Sequence, residues 1–325
     1  MSFLRITFFR IIIHLINWVW QKITTIIQWS KKVVLPGLDG MPLYEVMRFF
    51  ILGLMKGQLT RRASAIAYNF FMAIFPTIIF FFTIIPFIPV ENFQGKLLTL
   101  LRDLLPTGTY STVNETLTDI ITRPRSGLLS IGFVLALYFS TNGIASMMDG
   151  FNSTRHSIET RSWFKQRLVA TMLVLLLSLM VIFSIALISI GGFTFQFLHD
   201  HGILNSRFTY YLLQSVRWLT LVSLIFFGTS MIYYFGPARQ NKFRFFSAGS
   251  TLATFLIVAS LIGFNYYVAN FSSYNALYGS IGTLLIVMLW IYFNSLIFLI
   301  GFELNVSIGE AGAFNEESEA LMPDV

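Results

Sequence analysis

Polar side chains recur along one face of an otherwise apolar segment, where they could line a binding site. They follow one another at spacings of four, three and three residues: Asn142, Ser146, Asp149 and Asn152. In a helix these spacings place the side chains on one face. Polar groups at membrane depth are costly and usually face a bundle interior or a cavity. The pattern fits the mouth of a substrate pathway, and equally a helix end that fixes the following loop.

A basic residue, Arg217, lies well inside a second apolar segment. Given the rise per residue of a helix, it lies about 10 Å along a helix that enters the membrane at Tyr210. Its side chain could extend to the membrane surface. It could instead face an internal cavity, with Asn265 as a further lining residue, and bind an anionic head group. Both interpretations stay open.

An acidic residue, Glu303, lies one turn beyond the last long apolar segment. Its carboxylate could form an ion pair at the membrane surface, which is the favoured interpretation. Three arginines are candidates for the partner: Arg61, Arg62 and Arg155. Alternatively, Glu303 could gate the bundle or accept a proton.

Four further residues complete the candidates for a substrate pathway: Asn69, Pro76, Tyr274 and Tyr278. Pro76 removes a helical hydrogen bond, so a bend is expected near it. The two tyrosines lie in an uncharged loop, residues 271–279. This loop is a candidate plug over the outer side of the bundle.

Signs of catalysis are weak. Three adjacent residues have side chains that can bind a metal ion: His199, Asp200 and His201. In an extended loop, such neighbours do not converge on one ion without further ligands. The chain has no cysteine, no phosphate-binding glycine loop, no nucleophile elbow and no zinc-protease histidine pair. We therefore expect no metal site, no cofactor and no enzymatic activity.

The composition indicates an all-α membrane protein. Charged residues make up 11% of the chain and hydrophobic residues 55%, whereas soluble proteins carry about 25% charged residues. Such a chain could not cover a soluble globule with polar surface. The net charge of +7 is attributed to loops on the cytoplasmic side rather than to nucleic-acid binding. Membrane lipids are the expected partners.

Six apolar segments are each long enough to cross a bilayer as a helix. They run approximately over residues 63–88, 127–148, 168–193, 210–235, 246–268 and 279–300. Small residues at helical spacing predict close packing of the second span: Gly132, Ala136, Ser140 and Gly143. The transmembrane domain is thus expected over residues 63–305.

The two ends of the chain are expected to lie outside the spans, on the cytoplasmic side. Residues 3–29 predict an amphipathic helix in the membrane interface, although a seventh span with a polar stripe stays open. Pro36 to Gly40 should break this helix, and a shorter amphipathic helix should follow over residues 41–62. Residues 306–325 form a short acidic tail for which disorder is expected.

Charge in the predicted loops alternates and so predicts the orientation. The loops after the second and fourth spans are basic, whereas those after the first and third are balanced and the fifth is uncharged. Basic loops concentrate on the cytoplasmic side. Both termini are therefore predicted to be cytoplasmic.

Several stretches resemble the YihY/BrkB family of bacterial inner-membrane proteins, whose members were formerly named ribonuclease BN. The resemblance covers roughly residues 45–310 and is carried by residues 59–71, 75–76, 127–132, 149–152, 233–239, 274–280 and 301–305. It implies six helices and an inner-membrane location. The ribonuclease name is disfavoured because the sequence lacks a nuclease-type zinc motif.

Two functions from different classes are compatible with these features. The leading hypothesis is a transporter-like protein that handles or exports an anionic lipid or amphiphile. The alternative is a membrane scaffold or envelope assembly factor without a transport cycle. Homo-oligomerisation is possible under either hypothesis.

Overall fold

The structure is a computed structural model that describes residues 20–22, 24–25, 27–84, 86, 95, 126–153, 161–200, 206–238, 244–270 and 280–321. Only part of the amphipathic helix expected over residues 3–29 is among them, so its two alternatives stay predictions. Residues 27–30 are helical, and the chain then leaves the helix. Positive φ angles at Gly37 (92°), Asp39 (51°) and Gly40 (83°) confirm the predicted break.

Seven long helices make up most of the described chain. They are α1 (Leu43–Lys56), α2 (Leu59–Ile84), α3 (Ser126–Asn152), α4 (Trp163–Asp200), α5 (Ser206–Phe235), α6 (Ala248–Asn270) and α7 (Ser280–Leu321). Helices α2 to α7 are long and apolar enough to cross a membrane. The prediction of an all-α protein with six candidate spans is confirmed.

The six candidate spans, α2 to α7, form a closed ring. Each packs against its neighbour in sequence from α2 to α7, and α7 also packs against α2. The connections from α3 to α7 are short, so successive helices are antiparallel neighbours. Helix α1 lies outside the ring against α7.

A buried aromatic cluster lies at the end of the ring where α2 begins and α3 ends. Phe151 of α3 stacks on Phe302 of α7 with ring centroids 4.2 Å apart, and Tyr233 of α5 meets the edge of Phe151 at 5.6 Å. All three side chains are buried. The Tyr233 hydroxyl donates to the Phe298 carbonyl at 2.7 Å, so this aromatic cluster joins three helices.

Small residues allow the close helix contacts that were predicted for α3. Gly132, Ala136 and Gly143 are buried, and a methyl group at Gly143 would lie 3.1 Å from the Phe70 ring of α2. A second close approach joins α6 and α7, where a methyl group at Gly301 would lie 2.7 Å from the Gly249 carbonyl oxygen. Without side chains, the backbones can approach closely.

The predicted helix over residues 41–62 is wrong at its end. Helix α1 ends at Lys56, and Gln58 adopts a positive φ of 50°. Arg61 and Arg62 therefore belong to the first turn of α2. The glycine at position 57 ends α1, and the following turn redirects the chain into the first span.

The expectation of a disordered tail is also wrong for the part that the structure describes. Helix α7 continues without a break to Leu321. Ile308 and Ala311, one turn apart, are buried with Leu38 and Val46 in a second apolar cluster beside α1. Packing of this apolar stripe stabilises a segment whose acidic composition suggested disorder.

Candidate functional site

At one end of the ring, polar side chains of several described helices lie together, and we call this end, with Arg62, Asp149, Gln166 and Asn305, the polar end. At its centre, Arg62 Nη2 of α2 lies 3.8 Å from Glu303 Oε2 of α7. Glu303 is fully buried and Arg62 is 9% exposed. The arginine Nη1 also donates to the Gly57 carbonyl at 2.9 Å. Of the predicted partners of Glu303, Arg62 forms the pair, Arg61 is exposed, and Arg155 lies outside the described residues.

The Glu303 carboxylate occupies space left by a glycine. A methyl group at Gly53 of α1 would overlap Glu303 Oε1. Neither carboxylate oxygen accepts a hydrogen bond from any residue that the structure describes. A buried carboxylate is unfavourable unless a nearby charge compensates it. Arg62 supplies that charge, so the pair links α2 to α7 beneath α1.

A polar pocket of about 610 Å³ opens next to Arg62. Its lining combines the turn between α1 and α2 with the end of α3: Lys56, Gly57, Gln58, Arg61, Arg62, Ala65, Ser146, Asp149, Gly150 and Ser153. Three of these residues are basic and one is acidic. The basic residues come from the end of α1 and the start of α2, which the turn at Gly57 and Gln58 brings together.

The polar face predicted for α3 makes hydrogen bonds between helices. Asn142 Oδ1 accepts from Arg167 Nη1 of α4 at 2.6 Å. Asp149 Oδ1 accepts from Gln166 Nε2 of α4, also at 2.6 Å. These two hydrogen bonds join α3 to α4. The polar face whose spacing suggested a pathway therefore makes contacts between neighbouring helices.

Two asparagines that were predicted to line a substrate pathway make further contacts between elements. Asn69 Nδ2 of α2 lies 3.2 Å from Ser146 Oγ of α3. Asn152 Oδ1 accepts from the backbone N–H of Ala238, just after α5, at 2.8 Å. Asn152 thus fixes the loop after α5.

Arginine 161 supports the same loop. Its guanidinium donates to the carbonyls of Phe235 and Pro237. Partial burial lowers the pKa of Arg161 from its ordinary value, although an arginine side chain stays charged in proteins. Arg161 and Asn152 therefore hold the end of α5 from two directions.

Asn305 of α7 connects the polar end to α6. Its Oδ1 accepts from the backbone N–H of Gly249 at 2.8 Å, and its Nδ2 donates to Ser247 Oγ at 2.9 Å. Ser247 Oγ also accepts from the backbone N–H of Ser250 at 3.1 Å. The first turn of α6 is thus capped by Ser247 just before it and by Asn305 of α7. These side chains satisfy free N–H groups at the start of the helix.

A second pocket, of about 380 Å³, lies between the six helices α2 to α7 and is open rather than enclosed, and we call it the central cavity. All six long helices contribute to its lining: Phe70, Ile144, Met147, Leu177, Leu224, Ile225, Gly228, Thr229, Ile232, Ile257, Trp290, Ile291, Asn294, Ser295 and Phe298. Its polar side chains bond mainly within their own helices, and Thr229 also contacts the Thr254 hydroxyl of α6 at 3.4 Å. Thr229 donates to Ile225, and Ser295 donates to Ile291. The cavity therefore presents a mainly apolar surface.

The remaining candidates lie elsewhere. The side chains of Arg217 and Asn265 are exposed, whereas Pro76 is buried within α2. None of the three lines the polar pocket or the central cavity. The exposure of Arg217 matches the alternative in which it extends to the membrane surface. Tyr274 and Tyr278 lie outside the described residues, so the plug stays a prediction.

The histidines of the third loop have a different setting from the one expected. His199 and Asp200 belong to the last turn of α4 and not to an extended loop. Their side chains, and His201, are not among those described. Within the described part of the chain, no group of three or more His, Cys, Asp or Glu residues could hold a metal ion.

Two residues of the site had no role in the sequence interpretation. Lys56 lines the polar pocket, and Gly53 makes room for Glu303. A signal for Lys56 was present, since a basic residue precedes a glycine and then two arginines within seven residues. Gly53 offered no such signal, because its role depends on contact with a helix 250 residues away.

The ring of six apolar helices around a central cavity, with a buried ion pair and a basic pocket at one end, defines a polytopic α-helical membrane protein. The chain belongs to the BrkB family, since the family model described as "Virulence factor BrkB" matches residues 50–323. The expected resemblance is confirmed.

Relatives of known name agree with this membership. The chain is 25% identical over 260 residues to a UPF0761 membrane protein of Haemophilus influenzae, covering 79% of this chain and 92% of the relative. A UPF0761 membrane protein of Mannheimia succiniciproducens is 25% identical over 78% of this chain and 86% of its own length. YfkH of Bacillus subtilis, called a ribonuclease-like protein, is 26% identical over 79% and 92%. No solved structure matches the chain.

Proposed function

We propose that this protein handles or exports an anionic lipid or similar amphiphile at the bacterial inner membrane and is not an enzyme. One observation carries the proposal: all six helices from α2 to α7 contribute to one apolar cavity. Ligand cavities in proteins are typically about 300–1,000 Å³ and mostly apolar. A cavity of about 380 Å³ falls in that range and suits an acyl chain.

The polar side chains of the central cavity support this ligand class. Asn294 donates to the Trp290 carbonyl at 2.8 Å, and Ser295 bonds to its own helix. Groups already bonded within a helix offer little to a charged ligand. The charged part of an amphiphile would then lie at the polar end, for which the loop charges predict the cytoplasmic side.

The proposal can be tested by filling the central cavity. Gly228 lines it, and a new side chain there would start 3.4 Å from Leu177. Gly263 of α6 has open space around it and serves as the matched control. Purified wild-type, Gly228→Leu and Gly263→Leu proteins would be extracted and their lipids quantified by mass spectrometry. Each would then be tested for movement of fluorescent lipids across liposome membranes.

We expect Gly228→Leu to lose bound lipid and lipid movement, and Gly263→Leu to resemble the wild type. Equal lipid retention by all three proteins, with no lipid movement in liposomes, would contradict the proposal. A partner protein that co-purifies with a lipid-free bundle would instead favour the scaffold alternative.

A further inference from the structure

We propose that Lys56, Arg61 and Arg62 form a binding site for a phosphate-bearing oxyanion at the polar end. The inference deepens the proposed function by naming the head group, and its lipid source rests on that function. The three residues line a pocket of about 610 Å³. This volume lies within the range of small-molecule sites.

The charges around the pocket favour an anion. Asp149 is the one acidic residue among the described residues of the lining, and the Asp149 carboxylate already accepts from Gln166 at 2.6 Å. The next carboxylate, Glu303, lies behind Arg62 and is not part of the lining. Lys56 and Arg61 are exposed in the pocket wall. An entering anion therefore meets basic groups first.

Two donors of Arg62, Nε and Nη2, make no hydrogen bond with any described residue, whereas Nη1 bonds to the Gly57 carbonyl. Both free donors are buried and Nη2 faces Glu303, so a phosphate would reach them only if the guanidinium turned toward the pocket. The 3.8 Å separation from Glu303 is longer than a hydrogen bond. Unsatisfied buried donors are costly, and a phosphate group offers several acceptor oxygens to a planar guanidinium.

Backbone geometry adds to this attraction. Helix α2 begins at Leu59, and Gly57 and Gln58 just before it line the pocket. The start of a helix carries partial positive charge and free N–H groups, which favour anions. The end of α1 also faces the pocket, but its Gly57 carbonyl is already bonded to Arg62.

The pocket and the central cavity lie close enough for one amphiphile to reach both. On α3, Ser146 lines the pocket and Met147 lines the cavity. On α2, Ala65 lines the pocket and Phe70 the cavity, a separation of about 7.5 Å along the helix. A phosphate head group in the pocket would therefore lie within about two helical turns of the central cavity.

The test compares the pocket variant Lys56→Gln/Arg61→Gln with Lys165→Gln. Lys165 is an exposed residue at the start of α4 and is not among the pocket residues. Because the side chains of Lys56, Arg61 and Lys165 are exposed, these variants should fold. Their melting temperatures would check this. Native mass spectrometry would measure binding of phosphatidic acid and of diacylglycerol with the same chains. Calorimetry at fixed salt would measure binding of inorganic phosphate.

For the pocket variant we expect phosphatidic acid to bind at least about tenfold more weakly, since two charge-assisted contacts are lost. Diacylglycerol should bind equally to all proteins, and Lys165→Gln should match the wild type. A parallel loss of inorganic phosphate binding would show that the site takes the free anion as well. Arg62→Lys, which keeps the charge but not the planar fork, should weaken binding less than the double variant.

The outcomes separate this site from the proposed function. If all proteins bind phosphatidic acid and phosphate alike, or if Lys165→Gln loses as much as the pocket variant, the site is overturned while lipid handling stands. If no lipid binds but the pocket variant loses phosphate binding, the site stands and the proposed function fails. If neither lipid nor phosphate binds to the wild type, both are overturned.

Discussion

Glu303 of α7 is fully buried 3.8 Å from Arg62 of α2, at the contact that closes the ring of six helices. The two residues are 241 positions apart in sequence. Their charges compensate each other in a place where either alone would be unfavourable. The pair therefore couples the first span to the last, and its Arg62 also lines the polar pocket.

Breaking this pair should destabilise the protein strongly. We expect Arg62→Gln or Glu303→Gln to lower the free energy of unfolding by about 3–5 kcal/mol, because each leaves a buried charge unpaired. The double variant Arg62→Gln/Glu303→Gln should lose much less than the sum of the two. Denaturant unfolding in detergent, followed by tryptophan fluorescence, would measure the cycle.

The surface pair Arg48–Glu45 of α1 is the control for this cycle. It has a separation of 3.8 Å like the buried pair, but both side chains are partly exposed. Its removal should change the free energy of unfolding by about 0.5 kcal/mol or less. Strict additivity of the two substitutions at Arg62 and Glu303 would contradict the coupling.

Gly53 should tolerate no side chain while Glu303 is present. In Gly53→Ala the new methyl group would overlap Glu303 Oε1, so we expect a lower melting temperature. Gly309→Ala, on the same helix as Glu303 but with open space around it, should raise stability by about 0.5–1 kcal/mol because alanine favours helix. The damage from Gly53→Ala should shrink in a Glu303→Ala background. A harmless Gly53→Ala substitution would disprove the close packing of α1 on α7.

Asn305 should act as a cap for α6. Asn305→Ala removes the acceptor for Gly249 N–H and the donor to Ser247. We expect a loss of about 1–3 kcal/mol in the free energy of unfolding, because buried polar groups are left unsatisfied. Asn305→Asp keeps the acceptor and should lose less. The control is Asn265→Ala, at an exposed position of α6. It should change the free energy of unfolding by less than about 0.5 kcal/mol. If Asn305→Ala resembles that control, the cap does not stabilise α6.

The predicted orientation can be tested with single cysteines, since the natural chain has none. Trp29 and Ala313 are exposed positions near the two ends of the chain, and Ser126 is exposed at the opposite end of the ring from Arg62. In spheroplasts, a membrane-impermeant maleimide should label Ser126→Cys. It should label Trp29→Cys and Ala313→Cys only after permeabilisation, because basic loops stay in the cytoplasm. The reverse pattern would invert the topology.

The number of spans and the helical class followed from the sequence because they are local properties. A helix in lipid satisfies its own backbone hydrogen bonds, so a continuous apolar run predicts it without knowledge of its neighbours. The spacing of Asn142, Asp149 and Asn152 on one face was equally local. Whether that face lines a pathway or joins helices depended on partners such as Arg167, which the sequence could not select.

Contacts between distant segments were decided only by the tertiary structure. Three arginines were equal candidates for Glu303 until α7 packed on α2 and Gly53 left the space for the carboxylate. The acidic end of the chain suggested disorder, yet Ile308 and Ala311 pack against α1 and extend α7. Local composition sets which segments are helical, whereas burial and charge compensation depend on residues hundreds of positions away, and these set the pocket, the cavity and the closure of the ring.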